Sequence, residues 1–358
     1  MVTNIVAPYR TPALRELGRM VKLRVFYSAE TEPNRQWTVA KDLPFDYEVV
    51  GGRVIEVRGR YIHANPRLIS RLASFRPSVV VTGGFSLPSV YAVCYCVLSG
   101  AKLIIMNEGT SHTEEGQGRV GHLLRWGLVR AAKAYIAGGT LSEERLCDLG
   151  AKPGHCVVVP CASLDLENRP TRDYSSAGRV ARVLYVGQFI KRKGVLQLLE
   201  AVERVGRDHA VNLTMVGHGP LEETLRSAIA ARGLESCVTL RGFVDQPELP
   251  ALYAEHDLFI FPSLEEVFGV VLLEAMAGGV PAIASCFAGA TPDFVEPGKN
   301  GWIMDPSSAD GIARALEDAL NERDSWPDLG AAARKRLEKS SPRRAAEEIV
   351  RALDIAGG

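Results

Sequence analysis

The strongest limit on the fold of this 358-residue chain is a repeated alternation of two periods. Short β-branched runs are followed, again and again, by segments of helical spacing. VKLRVFYS (21–28), PSVVVT (77–82), KLIIMN (102–107) and CVVVP (156–160) read as strands. NPRLISRLASF (65–75) reads as a helix with Asn65 as cap and Pro66 at its first position. TLSEERLCDLG (140–150) reads as a helix with a Thr-x-x-Glu capping box and a terminal Gly. A polar stretch, LENRPTRDYSSAGRVA (166–181), interrupts the pattern and reads as a linker. The alternation then resumes. ARVLYVG (181–187), VNLTMVG (211–217), CVTLRG (237–242) and DLFIFP (257–262) read as strands. GVLQLLEAVERV (194–205), PLEETLRSAIAARG (220–233) and DQPELPALYAE (245–255), the last with an Asp-x-x-Glu box, read as helices. Strands alternating with helices of this length imply parallel sheets covered on both faces. The expected class is therefore α/β, with two doubly wound Rossmann-like domains facing a cleft. The boundaries expected are 1–165 and 178–340, with a final helix over 342–356. Ligands of such sheets bind beyond the carboxyl ends of the strands, so functional residues are expected just after them.

Composition narrows the function classes. Lys plus Arg and Asp plus Glu both number 42, which argues against a nucleic-acid partner. Residues 1–170 hold 21 basic and 15 acidic residues, and the remainder 21 and 27. The basic front half suits anionic lipid or an acidic acceptor, and equally an unevenly charged, solvated surface. The cysteines are seven and show no C-x2-C pair, which fits small buried thiols in a reducing compartment rather than disulfides or zinc. No signal peptide is read at the start. SVYAVCYCVLSGAKLIIM (89–106) is broken by Ser99-Gly100 and Lys102, and reads as a buried helix followed by a buried strand. The expected location is cytoplasmic, with peripheral contact at the inner face of the membrane as an option.

Three stretches carry chemistry. In VGHGPLEETL (216–225), Gly217 and Gly219 stand between a strand and a helix, where backbone can approach an anion. A plain tight turn is the alternative. In VGQFIKRKG (186–194), Lys191, Arg192 and Lys193 precede a helix, where cations oppose the helix dipole unless an anion joins them. Alone, the run reads as solvated charge. In EEVFGVVLLEAMAGGVPAIAS (265–285), Glu266 and Glu274 interrupt an apolar segment, and an ionised carboxylate is not buried without a partner. With the helix starting near Phe268, an eight-residue spacing directs both acids toward one face, with the Phe268, Gly269 and Val270 N–H groups between them. Such a cavity accepts hydroxyls and offers N–H groups to phosphate.

Taken in order, these stretches resemble the donor domain of retaining glycosyltransferases of family 4, with the GT-B fold. The resemblance covers 181–305 and includes VTLRGFV and EPGKNGWIMDP. It implies that Glu274 binds the nucleotide ribose, Glu266 orients the transferred sugar and Lys193 meets the diphosphate. Gly217 and Gly219 would form the phosphate turn, Gly187, Gln188 and His218 would also contact the donor, and Phe243 and Val244 would lie beside the base. Gln188 departs from the family, which usually has Arg there; Lys191 or Arg192 would have to compensate. The first half is similar to a subset tied to surface and secreted polysaccharide, in TEPNRQW (31–37), TGGFSLPS (82–89) and NEGTSHTEE (107–115). Relatives carry more strand residues before VTN, so the first strand is expected to be short or the start to lie downstream of the true one.

These front loops are expected to meet the acceptor, a sugar or lipid-linked sugar. Glu108 stands where many relatives place a His, and Glu108, Arg10 and Gly84 are expected near the reacting sugar. His112 reads either as an acceptor-side residue or as an exposed loop histidine. RVGHLLRWGLVRAAKAYI (119–136) reads as a core-facing helix with solvated basic residues, the alternative being a membrane-surface helix. No Asp-x-Asp motif occurs, so no metal and no cofactor beyond the nucleotide-sugar co-substrate are expected. The resemblance implies transfer with retention, through attack on the face the diphosphate leaves and closure of the cleft. The alternatives are a sugar-nucleotide epimerase or hydrolase, and a weakened relative that only binds.

Overall fold

The structure is a computed structural model. It describes residues 1–33, 42–57, 60–116, 118–162, 164, 166–167, 169–176 and 178–357. Backbone contacts divide it into two units, Met1–Asp165 with Ser340–Gly358, and Leu166–Lys339. In the first unit the strands are β1 (Val2–Thr3), β2 (Arg24–Tyr27), β3 (Asp46–Val49), β4 (Arg53–Val57), β5 (Arg60–Ala64), β6 (Val79–Gly83), β7 (Lys102–Asn107), β8 (Ala134–Ala137) and β9 (Cys156–Val158). In the second they are β10 (Ala181–Val186), β11 (Val211–Val216), β12 (Val238–Arg241), β13 (Leu258–Phe261), β14 (Ala282–Ser285) and β15 (Gly301–Met304).

Among the described residues two all-parallel sheets form, ordered β3-β2-β1-β6-β7-β8-β9 and β12-β11-β10-β13-β14-β15. Every residue of β8, β13 and β14 is buried, as expected of strands with helices on both faces. In each sheet the strand order reverses once, between β1 and β6 and between β10 and β13. Those two points are where ligands bind in such sheets. The two doubly wound Rossmann-like sheets expected from the alternation are what the chain forms.

Helix Val195–Val205 buries Val195, Leu198, Leu199, Ala201, Val202 and Val205 on one stripe and packs on helix Ala309–Asn321. Helix Pro342–Gly357 belongs to the first unit. Its stripe Ala345, Ala346, Ile349, Ala352 and Ala356 is buried against helix Thr11–Met20 and strands β7 to β9. The small alanines let the helix axis lie close to the sheet. An antiparallel pair, β4 with β5, stands outside both sheets; the alternation of apolar residues there was not read as a hairpin.

Several local expectations are corrected. Asn65 does not cap its helix, which starts at Leu68; its side-chain amide instead donates to the Ser28 carbonyl at 2.9 Å and to the Gly51 carbonyl. Thr140 is the first helical residue, with Gly139 at the cap and no side-chain cap bond, so the capping box does not form. Asp245 lends its backbone carbonyl to the Glu248 N–H, and the helix starts at Leu249 after Glu248. The run 119–136 is not one helix: it splits into helix Gly118–Ala131 and strand β8.

The polar stretch 166–181 is anchored rather than free. Arg172 donates to the Asp257 Oδ1 at 2.9 and 2.7 Å, and the Tyr174 hydroxyl donates to the Asp257 carbonyl at 2.9 Å. The Asp257 Oδ2 accepts from the Arg182 backbone N–H at 2.8 Å. One fully buried carboxylate thus ties the stretch to the starts of β10 and β13. Burial pushes the Asp257 carboxyl up, and the hydrogen bonds from Arg182 and Arg172 more than reverse this, holding it below 3.8. Asp257→Ala leaves two guanidinium groups without that partner and is expected to cost about 3–5 kcal/mol in a urea unfolding measurement. The wild-type contribution is fully present above the unfolded carboxylate pKa and is lost as pH falls through the depressed folded one.

Candidate functional site

The switch point of the second unit gathers the residues singled out after its strands. Lys191–Lys193 form a 3-10 turn closed by Gly194, whose φ of 67° is left-handed. A Cβ at Gly194 would overlap the Pro262 carbonyl oxygen, so glycine is what lets the β10 loop reach the end of β13. The Arg192 carbonyl accepts from the Leu264 and Glu265 N–H groups at 2.8 and 3.2 Å. The Arg192 guanidinium donates back to the Glu265 carbonyl at 3.2 Å. This clamp aims Lys193 at Glu266, and the two form an ion pair with side chains only 13% and 14% exposed. Lys193 Nζ also lies 5.9 Å from the centre of the Phe261 ring.

Beside it the β10 and β11 loops lie backbone against backbone. The Gly187 N–H donates to the Val216 carbonyl at 3.0 Å, and the Phe189 N–H to the His218 carbonyl at 2.8 Å. At Gly217, with φ of 141°, a Cβ would overlap the Gly187 carbonyl. The space freed at Gly217 is therefore filled by the neighbouring loop, so that glycine is required by the tight turn itself. The Tyr185 hydroxyl supports the loop from below, donating to the Gln188 carbonyl at 3.0 Å. His218 meets the ring of half-exposed Phe243 edge-on at 6.3 Å, while Val244 is buried.

The helix expected from Phe268 begins at Val270, with Gly269 at its cap and φ of 105°. Glu266 precedes it and pairs as an isolated bridge with Ala288. The Phe268 carbonyl accepts from the Ala290 N–H at 2.9 Å, and the buried Phe268 ring packs edge-on against Phe294. Glu266 is thus held by loop stitching, not by a helical repeat with Glu274. Glu274 is the fifth helical residue and is buried among Leu272, Leu273, Ala275 and Met276. Its Oε2 accepts from the Tyr253 hydroxyl at 3.1 Å. Burial raises the Glu274 carboxyl from 4.5 to about 7, with the Tyr253 hydrogen bond and the charge of Arg169 working the other way. Each acid in the apolar run therefore has a partner, as its sequence context demanded. Tyr185 and Tyr253 were not singled out in the sequence. Nor was Ser263, whose hydroxyl is buried after β13 without a partner among the described residues.

The first unit places Arg10 and Glu108 together at its own switch point. Arg10 follows β1 and Glu108 follows β7, and their side chains form an ion pair. The Arg10 Nη1 also donates to the Thr3 hydroxyl at 3.1 Å. Burial works against the Arg10 charge, but Glu108 reverses it and keeps the guanidinium protonated. Cys161 lies beside the pair, and burial followed by the Glu108 charge pushes its thiol well up. It was read as a small hydrophobe; its place after β9 was the available signal. Gly84, with φ of 68°, follows β6 and donates its N–H to the Met106 carbonyl at 2.6 Å. His112 is not brought to this pair. It opens a 3-10 turn with 37% of its side chain exposed and Nδ1 4.0 Å from Glu115. The same loop is anchored by buried Glu114, which meets Arg145 at 2.8 Å and Arg125 at 3.3 Å. Of TEPNRQW, residues 34–37 lie outside the described residues, as does Asp165; Glu32 meets buried His63 at 2.9 Å.

Among the described residues no three His, Cys, Asp or Glu side chains gather as metal ligands, and no helix is long and apolar enough to cross a membrane. The chemistry on offer in the second unit is a shielded cation paired with a carboxylate before helix Val270–Ala277, and a second, buried carboxylate within that helix.

The family model described as glycosyl transferases group 1 matches residues 172–336. A GDP-mannose-dependent alpha-(1-6)-phosphatidylinositol monomannoside mannosyltransferase of Mycobacterium tuberculosis is 37% identical over 167 residues, 44% of this chain and 43% of the relative. The amylovoran biosynthesis glycosyltransferase AmsK of Erwinia amylovora is 34% identical over 183 residues, 49% of this chain and 44% of the relative. The chain thus matches these relatives over less than half of their length. Among solved structures, Anabaena Alr3699/HepE in complex with UDP superposes with a TM-score of 0.79 at 18% identity, covering 99% of this chain and 98% of that one, which shows the fold. The segment 172–336, which carries the switch-point ion pair and the glycine-packed loops, thus matches the group 1 glycosyltransferase model, within a chain of GT-B fold.

Proposed function

We propose that this chain is a retaining, family 4-type glycosyltransferase. It would move a hexosyl or N-acetylhexosaminyl group from a nucleoside diphosphate sugar to a hydroxyl of a saccharide, a lipid-linked saccharide or a small molecule. The observation that carries this reading is the shielded Lys193–Glu266 pair at the switch point, with buried Glu274 on the next helix. Removing one member of such a pair leaves the other charge uncompensated. A ligand that enters must therefore offer an anion to Lys193 and hydroxyl donors to Glu266 together. A sugar diphosphate does both. Glu274, within the helix that follows Glu266, would accept the ribose hydroxyls.

In the reaction the acceptor oxygen bonds to the anomeric carbon on the face from which the diphosphate departs. The bond from that carbon to the phosphate oxygen breaks, and a diphosphate oxygen takes the acceptor proton. Charge grows on the diphosphate, where Lys193 and the N–H groups at the start of helix Val270–Ala277 stabilise it. Gln188 leaves that task to Lys193, because Arg192 is engaged with the Glu265 carbonyl. The proposed transfer proceeds without metal, a reading that rests on the lack of an Asp-x-Asp motif in the sequence. Uridine is the favoured base; a relative's name specifies GDP-mannose, which makes guanosine the competitor. The acceptor side is assigned to the Arg10–Glu108 pair and Gly84. The reaction belongs in the cytoplasm, at the inner face of the membrane.

A thermal-shift panel of nucleoside diphosphates without metal tests the donor site. At about 100 times its dissociation constant, the matching diphosphate is expected to add about 2.7 kcal/mol of stability. Lys193→Ala and Glu274→Ala should remove that gain, and a flat panel would sink the reading. Glu266→Gln is expected to lower kcat by about 10²–10³-fold while the diphosphate still binds.

Glu274 also predicts a pH dependence. A carboxylate accepts ribose hydroxyls better than a carboxylic acid does, and this one titrates at about 7. Diphosphate affinity should therefore rise as pH passes from 6 to 8, with the midpoint near that value. Tyr253→Phe removes a hydrogen bond to the charged form, so the midpoint should move up. An affinity flat across this range in calorimetric titrations would separate Glu274 from the ribose.

A further inference from the structure

Helix Gly118–Ala131 has two apolar faces, and only one of them is covered. Leu128 and Val129 are buried toward the sheet, where Arg125 lies 5.4 Å from the Phe85 ring and 3.3 Å from Glu114. The other face carries Val120, Leu123 and Leu124, which are 80%, 65% and 48% exposed. They stand at i, i+3 and i+4, one stripe of the helix. Leu128 faces the core as expected, whereas Leu123 and Leu124 do not. Trp126 is 41% exposed, and the Arg130 guanidinium lies 4.8 Å over its ring. Residues 118–133 contain Arg119, Arg125, Arg130 and Lys133 and no acid. Arg119, Arg130 and Lys133 are exposed.

We propose that this outer face docks on an anionic bilayer surface, with Val120, Leu123, Leu124 and Trp126 in the headgroup boundary and Arg119, Arg130 and Lys133 on acidic lipid. It builds on the membrane-face part of the proposed function and gives that contact a surface. A helix presenting leucine and tryptophan beside cations, with no acid, has both signals that interfacial binding requires. A second copy of the chain fits less well. A two-fold contact through this face would set the same cations against themselves. The helix follows directly on the loop that starts at Glu108, so docking would hold the acceptor-side loop at the surface where a lipid-linked hydroxyl lies.

The test is co-sedimentation of the full chain with phosphatidylglycerol-containing vesicles and with pure phosphatidylcholine vesicles, without nucleotide. Binding to the anionic vesicles is expected, with a blue shift of tryptophan emission. Leu123→Ser should lower the partition coefficient by about tenfold or more. Arg119→Gln and Arg130→Gln should each lower it by about fivefold. These side chains are exposed, and circular dichroism confirms that the variants fold. No binding by the wild type, binding unchanged in the variants, or equal binding to neutral vesicles would overturn the proposal. So would a dimer in sedimentation equilibrium that Leu123→Ser abolishes without any vesicle binding. Diphosphate thermal shifts of the same variants should match wild type, so failure of docking and failure of the donor site are read separately.

Discussion

Among the described residues, the charged side chains that enter the interior of both units have partners, and that constraint shapes the rest. Sheets covered on two faces leave few wet positions, and an unpaired ion there costs several kcal/mol. Asp257 satisfies it with Arg172 and Arg182, which fixes the stretch before β10. Glu114 satisfies it with Arg125 and Arg145, which fixes the loop after β7. Arg10 with Glu108 and Lys193 with Glu266 do the same, but at the two places where the strand order reverses. The first two sets hold the fold together. The last two present paired charge where ligands of such sheets bind, and a ligand can exchange with a partner there at small net cost.

Much of this was legible in the sequence because a buried carboxylate has few explanations. Glu266 and Glu274 stood out against an apolar run, and both were found paired. What could not be read was the identity of the partners. Tyr253 reaches Glu274 across 21 positions of sequence, and Lys193 reaches Glu266 across 73. Neither follows from local spacing. The alternation of periods gave the two sheets, while caps were misread. Asn65, Thr140 and Asp245 carry the right chemistry for capping, but in Asn65 the side chain satisfies carbonyls from elsewhere in the fold. Tertiary hydrogen bonds outcompeted the local one, which is worth only about 1 kcal/mol.

Glycine shows the same limit from the other side. Gly217 follows a strand and invites the reading of a ligand brought close to the backbone. Its missing Cβ is instead required by the Gly187 carbonyl. The two explanations share one sequence signature, because both need backbone approached closely. Only the neighbour's position separates them. The outer stripe of helix Gly118–Ala131 is a parallel case: leucine at helical spacing suits a core and a membrane surface equally, and burial alone decides.

The Lys193–Glu266 pair also bears on how the site would discriminate between ground state and transition state. A lysine already neutralised by a carboxylate gains little from a weakly charged ligand, since one partner is traded for another. The gain grows with the negative charge that the ligand presents. A diphosphate whose bond to the sugar is breaking carries more charge than the intact donor. Exchange of partners is therefore most favourable at the point of departure, which is where stabilisation accelerates a reaction. In the proposed transfer, Glu266 released from Lys193 would at the same time be free to accept sugar hydroxyls. One shielded pair would then couple leaving-group stabilisation to sugar orientation, which neither residue alone would do.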